Sequence, residues 1–216
     1  MSPARPRVAI RVVRADGGPE AFVTMSGRTL TCGSTGELCL EDDPFVAPVQ
    51  ARFYLEAGHL SIEDVGGENG TFIRLRGERE VRPGGELRVG RQRLRLETIP
   101  EPQGDLDTEF KAQWGSPDEG ARLKLVQLLE GGIRANAYPL PLGILELGRD
   151  LGAITFPQDG FISGRHTQLQ CFSDRVQVKD LGSSNGTFTR LTAPARVNDG
   201  DHFLIGGQLI RVEVGN

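Results

Sequence analysis

Apolar and polar residues alternate along most of this chain in short runs separated by turn-forming residues. Such runs in the first half read VAIRVV, AFVTM, HLSIEDV, ELRVG and RLRLE. Those in the second half read LKLVQLL, ILELG, HTQLQCF, RVQVKDL, TFTRL, HFLIGG and LIRVEV. A period of two sends successive side chains to opposite faces of a strand and buries one face. Because glycine-rich turns such as DGG, RPGG and NDGD separate the runs and no helical period is present, the pattern predicts an all-β fold of β-sandwich type.

The chain also repeats itself. The segment PFVAPVQARFYLEAGHLSIEDVGGENGTFIRL matches GFISGRHTQLQCFSDRVQVKDLGSSNGTFTRL, and the two begin at residues 44 and 160, an offset of 116. Further on, VRPGGELRVGRQRLRLE matches VNDGDHFLIGGQLIRVE at the same offset. Because this period is far too long for a solenoid repeat, it predicts two domains of one fold.

The predicted domains are residues 1–97 and 123–216, joined by an acidic linker at 98–122. The linker breaks the alternating pattern and is punctuated by proline and glycine. Residues 1–97 hold 14 basic and 14 acidic side chains, and residues 123–216 hold 9 of each. Residues 98–122 hold 2 basic and 6 acidic side chains, which accounts for the whole net charge of −4. Neither half has the basic surplus of a nucleic-acid-binding domain, so no nucleic-acid partner is expected.

Other classes of site are not indicated. The three cysteines, Cys32, Cys39 and Cys171, form no CxxC pair and stand near no histidine at ligand spacing, so we expect reduced thiols, no metal site and no cofactor. The N-terminal stretch MSPARPRVAIRVV lacks the apolar core of a signal peptide, and no run is long enough to cross a bilayer. A cytoplasmic protein without membrane insertion is the expectation.

Three short elements of the second copy carry the functional hypothesis. They are GR at Gly148–Arg149, SGRH at Ser163–His166, and DLGSSNGTF at Asp180–Phe188. In this order and in a β-rich segment of this size, they resemble the forkhead-associated (FHA) domain. The resemblance covers most of the second copy and implies a β-sandwich that recognises phosphothreonine peptides.

The residue types suit that ligand. A phosphothreonine carries nearly two negative charges and three acceptor oxygens, so its receptor needs a fixed cation together with hydroxyl or amide donors. Arg149 is a planar cation that keeps its charge, and Ser163 and Ser184 are short hydroxyl donors. The backbone amides of Gly164 and Arg165, and the Arg165 side chain, are further candidate donors to the phosphate.

The resemblance assigns roles to these positions. It implies that Arg149 and Ser163 bind the phosphate, that Ser184 assists, and that Asn185 hydrogen-bonds the peptide backbone. Gly164 departs from the side-chain donor often found in the family at its position, which predicts weaker affinity. Four residues are interpreted as structural, either as a loop brace or as parts of a turn that Asn and Gly favour: Gly148, His166, Gly186 and Thr187.

The first copy keeps the turn and loses the other elements. Arg149 corresponds to Ser34, Ser163 to Ala47, His166 to Gln50 and Ser184 to Glu68. The cation, the main hydroxyl and the loop brace are therefore expected to be absent, and Glu68 adds a charge that repels phosphate. The first domain is predicted to be a degenerate FHA-like sandwich.

Three functions from different classes follow. The first is a phosphothreonine-binding adaptor in Ser/Thr kinase signalling, whose partner is a phosphorylated protein and for which a Ser/Thr kinase is a further candidate partner. The alternative is a phosphate-independent scaffold of a bacterial secretion or envelope system. An enzyme is disfavoured because no nucleophile constellation, P-loop or metal cluster occurs in the sequence. Thr108, in the acidic linker, is a candidate phosphorylation site that would fold back into the pocket.

Overall fold

The computed structural model describes residues 7–13, 21–40, 43–100 and 120–215. Within these ranges the chain is all-β, as predicted, and the one helical element is a short 3₁₀ turn at Glu130–Gly132. Thr108 and most of the predicted acidic linker lie outside the described residues.

The strands form two compact units. Unit 1 is built from residues within 1–76, 130–133 and 187–216, and unit 2 from residues 77–129 and 134–186. The strands of unit 1 are β1 (Arg7–Val13), β2 (Phe22–Thr24), β3 (Thr29–Gly33), β4 (Leu38–Cys39), β5 (Ala51–Glu56), β6 (His59–Asp64), β7 (Thr71–Arg74), β17 (Thr187–Arg190), β18 (Ala195–Arg196), β19 (His202–Ile205) and β20 (Gln208–Gly215). Those of unit 2 are β8 (Arg79–Val81), β9 (Glu86–Val89), β10 (Gln92–Thr98), β11 (Leu123–Leu128), β12 (Arg134–Leu140), β13 (Gly143–Gly148), β14 (Ile154–Thr155), β15 (Thr167–Cys171) and β16 (Val176–Asp180).

Each unit contains two sheets. In unit 1 the strand orders are β17-β7-β19-β20-β1-β2 and β18-β6-β5-β3-β4. In unit 2 they are β12-β11-β10-β9 and β14-β13-β15-β16-β8. Burial alternates along β1 as the sequence pattern predicts, since Val8, Ile10 and Val12 are buried while their neighbours are partly or fully exposed.

The structure divides the chain differently from the predicted boundaries at 97 and 123. Each unit combines the first part of one repeat with the last part of the other. In unit 1, β1 of the first repeat pairs with β20 of the second over the full length from Arg7↔Gly215 to Val13↔Leu209. In unit 2, β11 of the second repeat pairs with β10 of the first. The repeats have therefore exchanged their C-terminal strands.

The exchange also changes what residues 98–122 connect. Thr98 pairs with Leu123 across two neighbouring strands of unit 2, and the Ile99 amide donates to the Arg122 carbonyl at 2.9 Å. Both ends of this segment therefore lie side by side in one unit, and the segment does not lead from one compact unit to the other. The chain instead passes between the units near residues 76, 130–133 and 186.

The core of unit 1 depends on both repeats. Phe53 on β5 and Phe203 on β19 are fully buried and pack edge to face, with ring centroids 5.9 Å apart. Burying an aromatic side chain of this size contributes about 1.5–3 kcal/mol, and the pair geometry adds to that. Because Phe53 comes from the first repeat and Phe203 from the second, the sandwich of unit 1 needs both.

The cysteines are unpaired in the described chain, and their environments differ. Cys32 and Cys171 are buried, whereas Cys39 is exposed. Burial raises the pKa of the Cys32 thiol to about 12, with a further contribution from neighbouring Cys39. Burial also raises the pKa of Cys171 to about 11. The two buried thiols are therefore protonated side chains that act as apolar packing.

The exchange predicts the outcome of cutting the chain inside the acidic segment. With a protease site inserted between residues 104 and 115, the cleaved chain should elute as a single complex of the uncut size in size-exclusion chromatography. The two fragments should separate in urea, because each compact unit draws strands from both. A control cleaved only after denaturation and analysed in urea gives the positions of the free fragments. Two separate native peaks, each unfolding cooperatively, would contradict the exchange.

Candidate functional site

Three loops of unit 2 meet at one end of the sheet that contains β13, β15 and β16. They follow β13, β14 and β16 and carry Arg149, Ser163 and Ser184, respectively. The Arg149 amide donates to the Ser163 carbonyl at 2.9 Å, and the Leu151 amide donates to the Gly164 carbonyl at 3.1 Å. These backbone bonds place the arginine and the serine of the two sequence motifs side by side.

Gly148 permits this close approach. A Cβ atom at this position would lie 2.1 Å from the carbonyl oxygen of Gly164 and 2.4 Å from that of Leu151. Any side chain would push the two loops apart, so the glycine before Arg149 has a steric role.

The Ser163 hydroxyl joins the second loop to the third. Its Oγ accepts a hydrogen bond from the Ser184 amide at 3.2 Å. Since the hydroxyl is used as an acceptor here, its own hydrogen can be donated to a ligand. Ser163 therefore has the geometry to bind the third loop and an anion at the same time.

His166 braces these loops from inside the unit. It is completely buried, and its Nδ1 accepts a hydrogen bond from the Ser163 amide at 3.0 Å. The proton of the neutral ring then resides on Nε2, which lies 3.1 Å from the Gly186 carbonyl and donates to it. One ring thus connects the loop that carries Ser163 to the loop that carries Ser184, in the structural role expected from the sequence.

Asn185 and its neighbours shape the third loop. The Asn185 side-chain Nδ2 donates to the Phe161 carbonyl at 2.8 Å, and the Gly186 amide donates to Ser183 Oγ at 2.9 Å. Ser183 Oγ in turn donates to Asp180 at 2.7 Å. Asn185, expected to contact peptide, thus also has a scaffold contact, and its amide oxygen receives no hydrogen bond from the described residues.

The two arginines of the GR and SGRH motifs have different partners. Arg149 Nε lies 2.8 Å from Asp150, and both side chains are about half exposed. Arg165 is held by Glu146 on β13, with its Nε 2.7 Å from the carboxylate. This ion pair raises the pKa of Arg165 and lowers that of Glu146 through hydrogen bonding and charge. Because an ion pair as exposed as Arg149–Asp150 is weak, a dianionic phosphate can replace Asp150 as the partner of Arg149.

Unit 1 has the same loop architecture with different side chains at the motif positions. Ser34 and Ala47 replace Arg149 and Ser163, and their backbone bond is kept, with the Ser34 amide donating to the Ala47 carbonyl at 3.0 Å. Glu68 is exposed at the position of Ser184. At these positions unit 1 therefore has a short hydroxyl in place of the cation, and a methyl group and a carboxylate in place of the two serine hydroxyls.

The expectation that unit 1 lacks a loop brace is wrong. Gln50, which replaces His166, is also completely buried, and its Oε1 accepts from the Ala47 amide at 3.3 Å. Its Nε2 donates to the Gly66 carbonyl and to Asp64 at 3.0 Å. An amide carries one acceptor and one donor group, as a neutral imidazole does, so glutamine satisfies the same pair of loops.

The asparagine contact is likewise common to both units. Asn69 Nδ2 donates to the Phe45 carbonyl at 2.9 Å in unit 1, as Asn185 does to Phe161 in unit 2. Its presence in both units shows that the contact belongs to the fold.

Sequence reasoning missed one arginine beside the site. Arg91 lies in the turn between β9 and β10, and its guanidinium carbon is 4.7 Å from the centroid of the Phe161 ring. No motif marks Arg91. With the predicted domain boundaries, Arg91 would have belonged to the first domain and would have lain away from the second. The exchange of strands brings it to the loop of Ser163.

Comparison with known proteins supports the family resemblance. Residues 145–206 match the family model of the FHA domain. This match is contiguous in sequence, but it crosses residue 187, where the chain passes from unit 2 to unit 1. A search of curated protein sequences found no match.

Solved structures similar to the chain include three described as FHA domains or phosphopeptide complexes. The FHA domain of the CT664 protein from Chlamydia trachomatis is 19% identical, with 42% of this chain and 96% of that chain covered and a TM-score of 0.25. Mycobacterium tuberculosis EmbR, in complex with a low-affinity phosphopeptide, is 22% identical, with 41% and 27% covered and a TM-score of 0.22. A structure from a study of phosphothreonine-dependent FHA domain interactions is 23% identical, with 43% and 98% covered and a TM-score of 0.26.

Across the described ranges, no three His, Cys, Asp or Glu side chains come together as a metal-binding group. None of the helices found there is long and apolar enough to cross a membrane.

The brace predicts a difference between two substitutions of one residue. His166→Ala should leave the Ser163 amide and the Gly186 carbonyl without their partner and lower the free energy of unfolding by about 1–3 kcal/mol. His166→Gln should lose clearly less, because Gln50 makes the equivalent contacts in unit 1. Urea unfolding followed by circular dichroism would measure both, with exposed His59→Ala as the control. Equal losses for the two His166 variants would contradict the role of the ring as a hydrogen-bonding brace.

Proposed function

We propose that this chain, whose residues 145–206 carry an FHA domain sequence, is a phosphothreonine-peptide-binding adaptor and that unit 2 holds the binding site. The observation that supports the proposal most is the meeting of Arg149, the Ser163 hydroxyl and the third loop at one exposed end of unit 2. A fixed cation and a hydroxyl donor that a buried brace holds in place suit a dianionic ligand with three acceptor oxygens. The proposed phosphopeptide contacts are Arg149, Ser163, Gly164, Arg165, Ser184 and Asn185.

Within this set, the structure supports unequal contributions. Among the described residues, the partner of the Arg149 side chain is the exposed Asp150, whereas both nitrogen contacts of Arg165 go to Glu146. We therefore assign the principal charge interaction to Arg149 and expect Arg165 to act through its backbone amide.

Unit 1 is proposed to act without phosphate. Its site end has Ser34, Ala47 and Glu68 in place of the three phosphate-binding residues, while Gln50 keeps the loops in shape. An intact scaffold with a negative charge at the former site suits a support or protein-contact role. The stoichiometry should then be one phosphopeptide per chain.

The proposal extends to cellular context. The phosphorylated partner would be the product of a Ser/Thr protein kinase, and the chain would act in the cytoplasm as a non-enzymatic module without a cofactor. The competing candidate is a phosphate-independent scaffold in a secretion or envelope assembly. It predicts that treating a lysate with phosphatase leaves the captured partners unchanged, whereas the adaptor loses them.

Arg149 provides the main test. Arg149→Ala should weaken binding of a phosphothreonine peptide, selected from a library, by at least about tenfold, because hydrogen bonds to charged groups contribute about 1.5–3 kcal/mol. The matched control is Arg175→Ala, since Arg175 also pairs with an adjacent aspartate at 2.8 Å but lies at the opposite end of the same sheet. Fluorescence anisotropy of the labelled peptide and of its unphosphorylated form would measure the affinities. Equal binding by the two variants, or no phosphopeptide binding by the unmodified chain, would overturn the proposal.

Gly164 offers a test by gain of affinity. A Cβ atom at Gly164 would meet no other atom within 4 Å, so a side chain there points into open space beside Ser163. Gly164→Ser should add a hydroxyl donor and tighten phosphopeptide binding by about threefold to tenfold, as expected for one additional hydrogen bond. Gly164→Ala is the matched control, because it adds the carbon without the donor. An unchanged affinity in the serine variant would show that a side chain at this position does not contact the phosphate.

A further inference from the structure

The turn between β9 and β10 packs directly on the loop that carries Ser163. Gly90 has a left-handed backbone with φ of 57°, and a Cβ there would lie 2.5 Å from Ile162 and 3.0 Å from Asp159. Only a glycine fits so close an approach in this conformation. The next residue, Arg91, is therefore delivered to the edge of the proposed phosphopeptide site.

Asp159 fixes the backbone of this turn. The side chain is 4% exposed, and its Oδ2 accepts from the Arg91 amide at 2.8 Å and from Gln92 Nε2 at 2.7 Å. Its Oδ1 accepts from the Phe161 amide at 3.0 Å. One buried carboxylate thus holds the turn of the first repeat and the loop of the second in a single arrangement.

The Arg91 side chain lies over an exposed aromatic ring. Its guanidinium carbon is 4.7 Å from the Phe161 ring centroid, and Phe161 is 43% exposed. No carboxylate of the described residues forms a salt bridge with this guanidinium. A cation–π contact restrains the guanidinium but leaves its charge and its edge donors available to another molecule.

Phe161 connects Arg91 to the proposed peptide contacts. Its carbonyl accepts from Asn185 Nδ2 at 2.8 Å, and it stands two residues before Ser163. A peptide that places its phosphate at Arg149 and Ser163 and passes Asn185 would therefore run beside the positive charge of Arg91.

Unit 1 lacks the corresponding charge. There the turn between β19 and β20 docks in the same way, with the Gly207 amide donating to Asp43 at 2.7 Å. Since Gly207 occupies the place of Arg91, the docking contact does not require an arginine. The Arg91 side chain is thus an addition to unit 2, beyond what the fold needs.

We propose that Arg91 is a specificity-determining residue that selects phosphopeptides with an acidic side chain at one position near the phosphothreonine. This inference rests on the proposed function of unit 2. Because Arg91 belongs to the first repeat, the exchange makes the degenerate repeat a contributor to recognition by the other.

The test uses the full chain and a set of phosphothreonine peptides that carry Asp or Asn at each flanking position in turn. We expect one position at which Asp binds about threefold to fivefold more tightly than Asn at low ionic strength, the range of an exposed ion pair. Arg91→Gln should abolish that preference, so that the Asp and Asn peptides bind with equal affinity. Arg91→Glu should reverse it in favour of Lys at the same position, which loss of a merely structural residue would not do.

Arg82→Gln is the matched control, since Arg82 is an exposed arginine of the same exchanged segment and lies near Asp174, at the far end of the sheet. It should keep the acidic preference in full. Phosphopeptide binding with no acidic preference, or a preference that survives Arg91→Gln, would overturn this inference alone. Failure to bind any phosphothreonine peptide would overturn the proposed function together with it.

Discussion

Each unit is closed by a strand from the other repeat, and the rest of the molecule depends on this pairing. Strand β20 completes the sheet of β1 in unit 1, and β10 completes the sheet of β11 in unit 2. In each unit a buried aspartate accepts a hydrogen bond from a backbone amide of the turn that docks on it. The aspartate is Asp43 in unit 1 and Asp159 in unit 2. Burying a carboxylate costs free energy unless the carboxylate is hydrogen-bonded. Each aspartate therefore stabilises the docked turn and disfavours a state in which the turn is undocked. The two repeats therefore fold as one system.

This arrangement explains why a repeat without the arginine and serines of the second repeat's motifs keeps so much of the fold. The first repeat supplies β8, β9 and β10 to unit 2, and Val81 on β8 pairs with Val176 on β16 of that unit. If those strands were lost, the site that carries Arg149 and Ser163 would lose part of its supporting sandwich. Retention of scaffold residues in the first repeat then follows from the needs of unit 2 as well as of unit 1.

Two different side chains, His166 in unit 2 and Gln50 in unit 1, hold the same pair of loops together. A buried imidazole and a buried amide both present an acceptor to one loop and a donor to the other. The loops of the two units therefore have the same pattern of hydrogen bonds to the brace. What differs is the exposed layer above the brace, where Arg149 and Ser163 of unit 2 correspond to Ser34 and Ala47 of unit 1. The fold thus separates the groups that hold the loops from the groups that would meet a ligand.

The sequence by itself determined the all-β class, the repeat and the residues that meet at the end of unit 2. Alternation sets which side chains are buried, and the GR, SGRH and SSNG elements follow strands whose ends must converge. It also marked NGTF as a structural turn, and Asn69 and Asn185 make the same loop contact in both units. Only tertiary structure decided which repeat supplies the closing strands, because backbone hydrogen bonds between strands do not depend on the origin of either strand, and both repeats present the same alternation. The place of Arg91 beside Phe161, and the brace formed by Gln50, depend on three-dimensional contacts between segments far apart in the chain, and no local pattern encodes them.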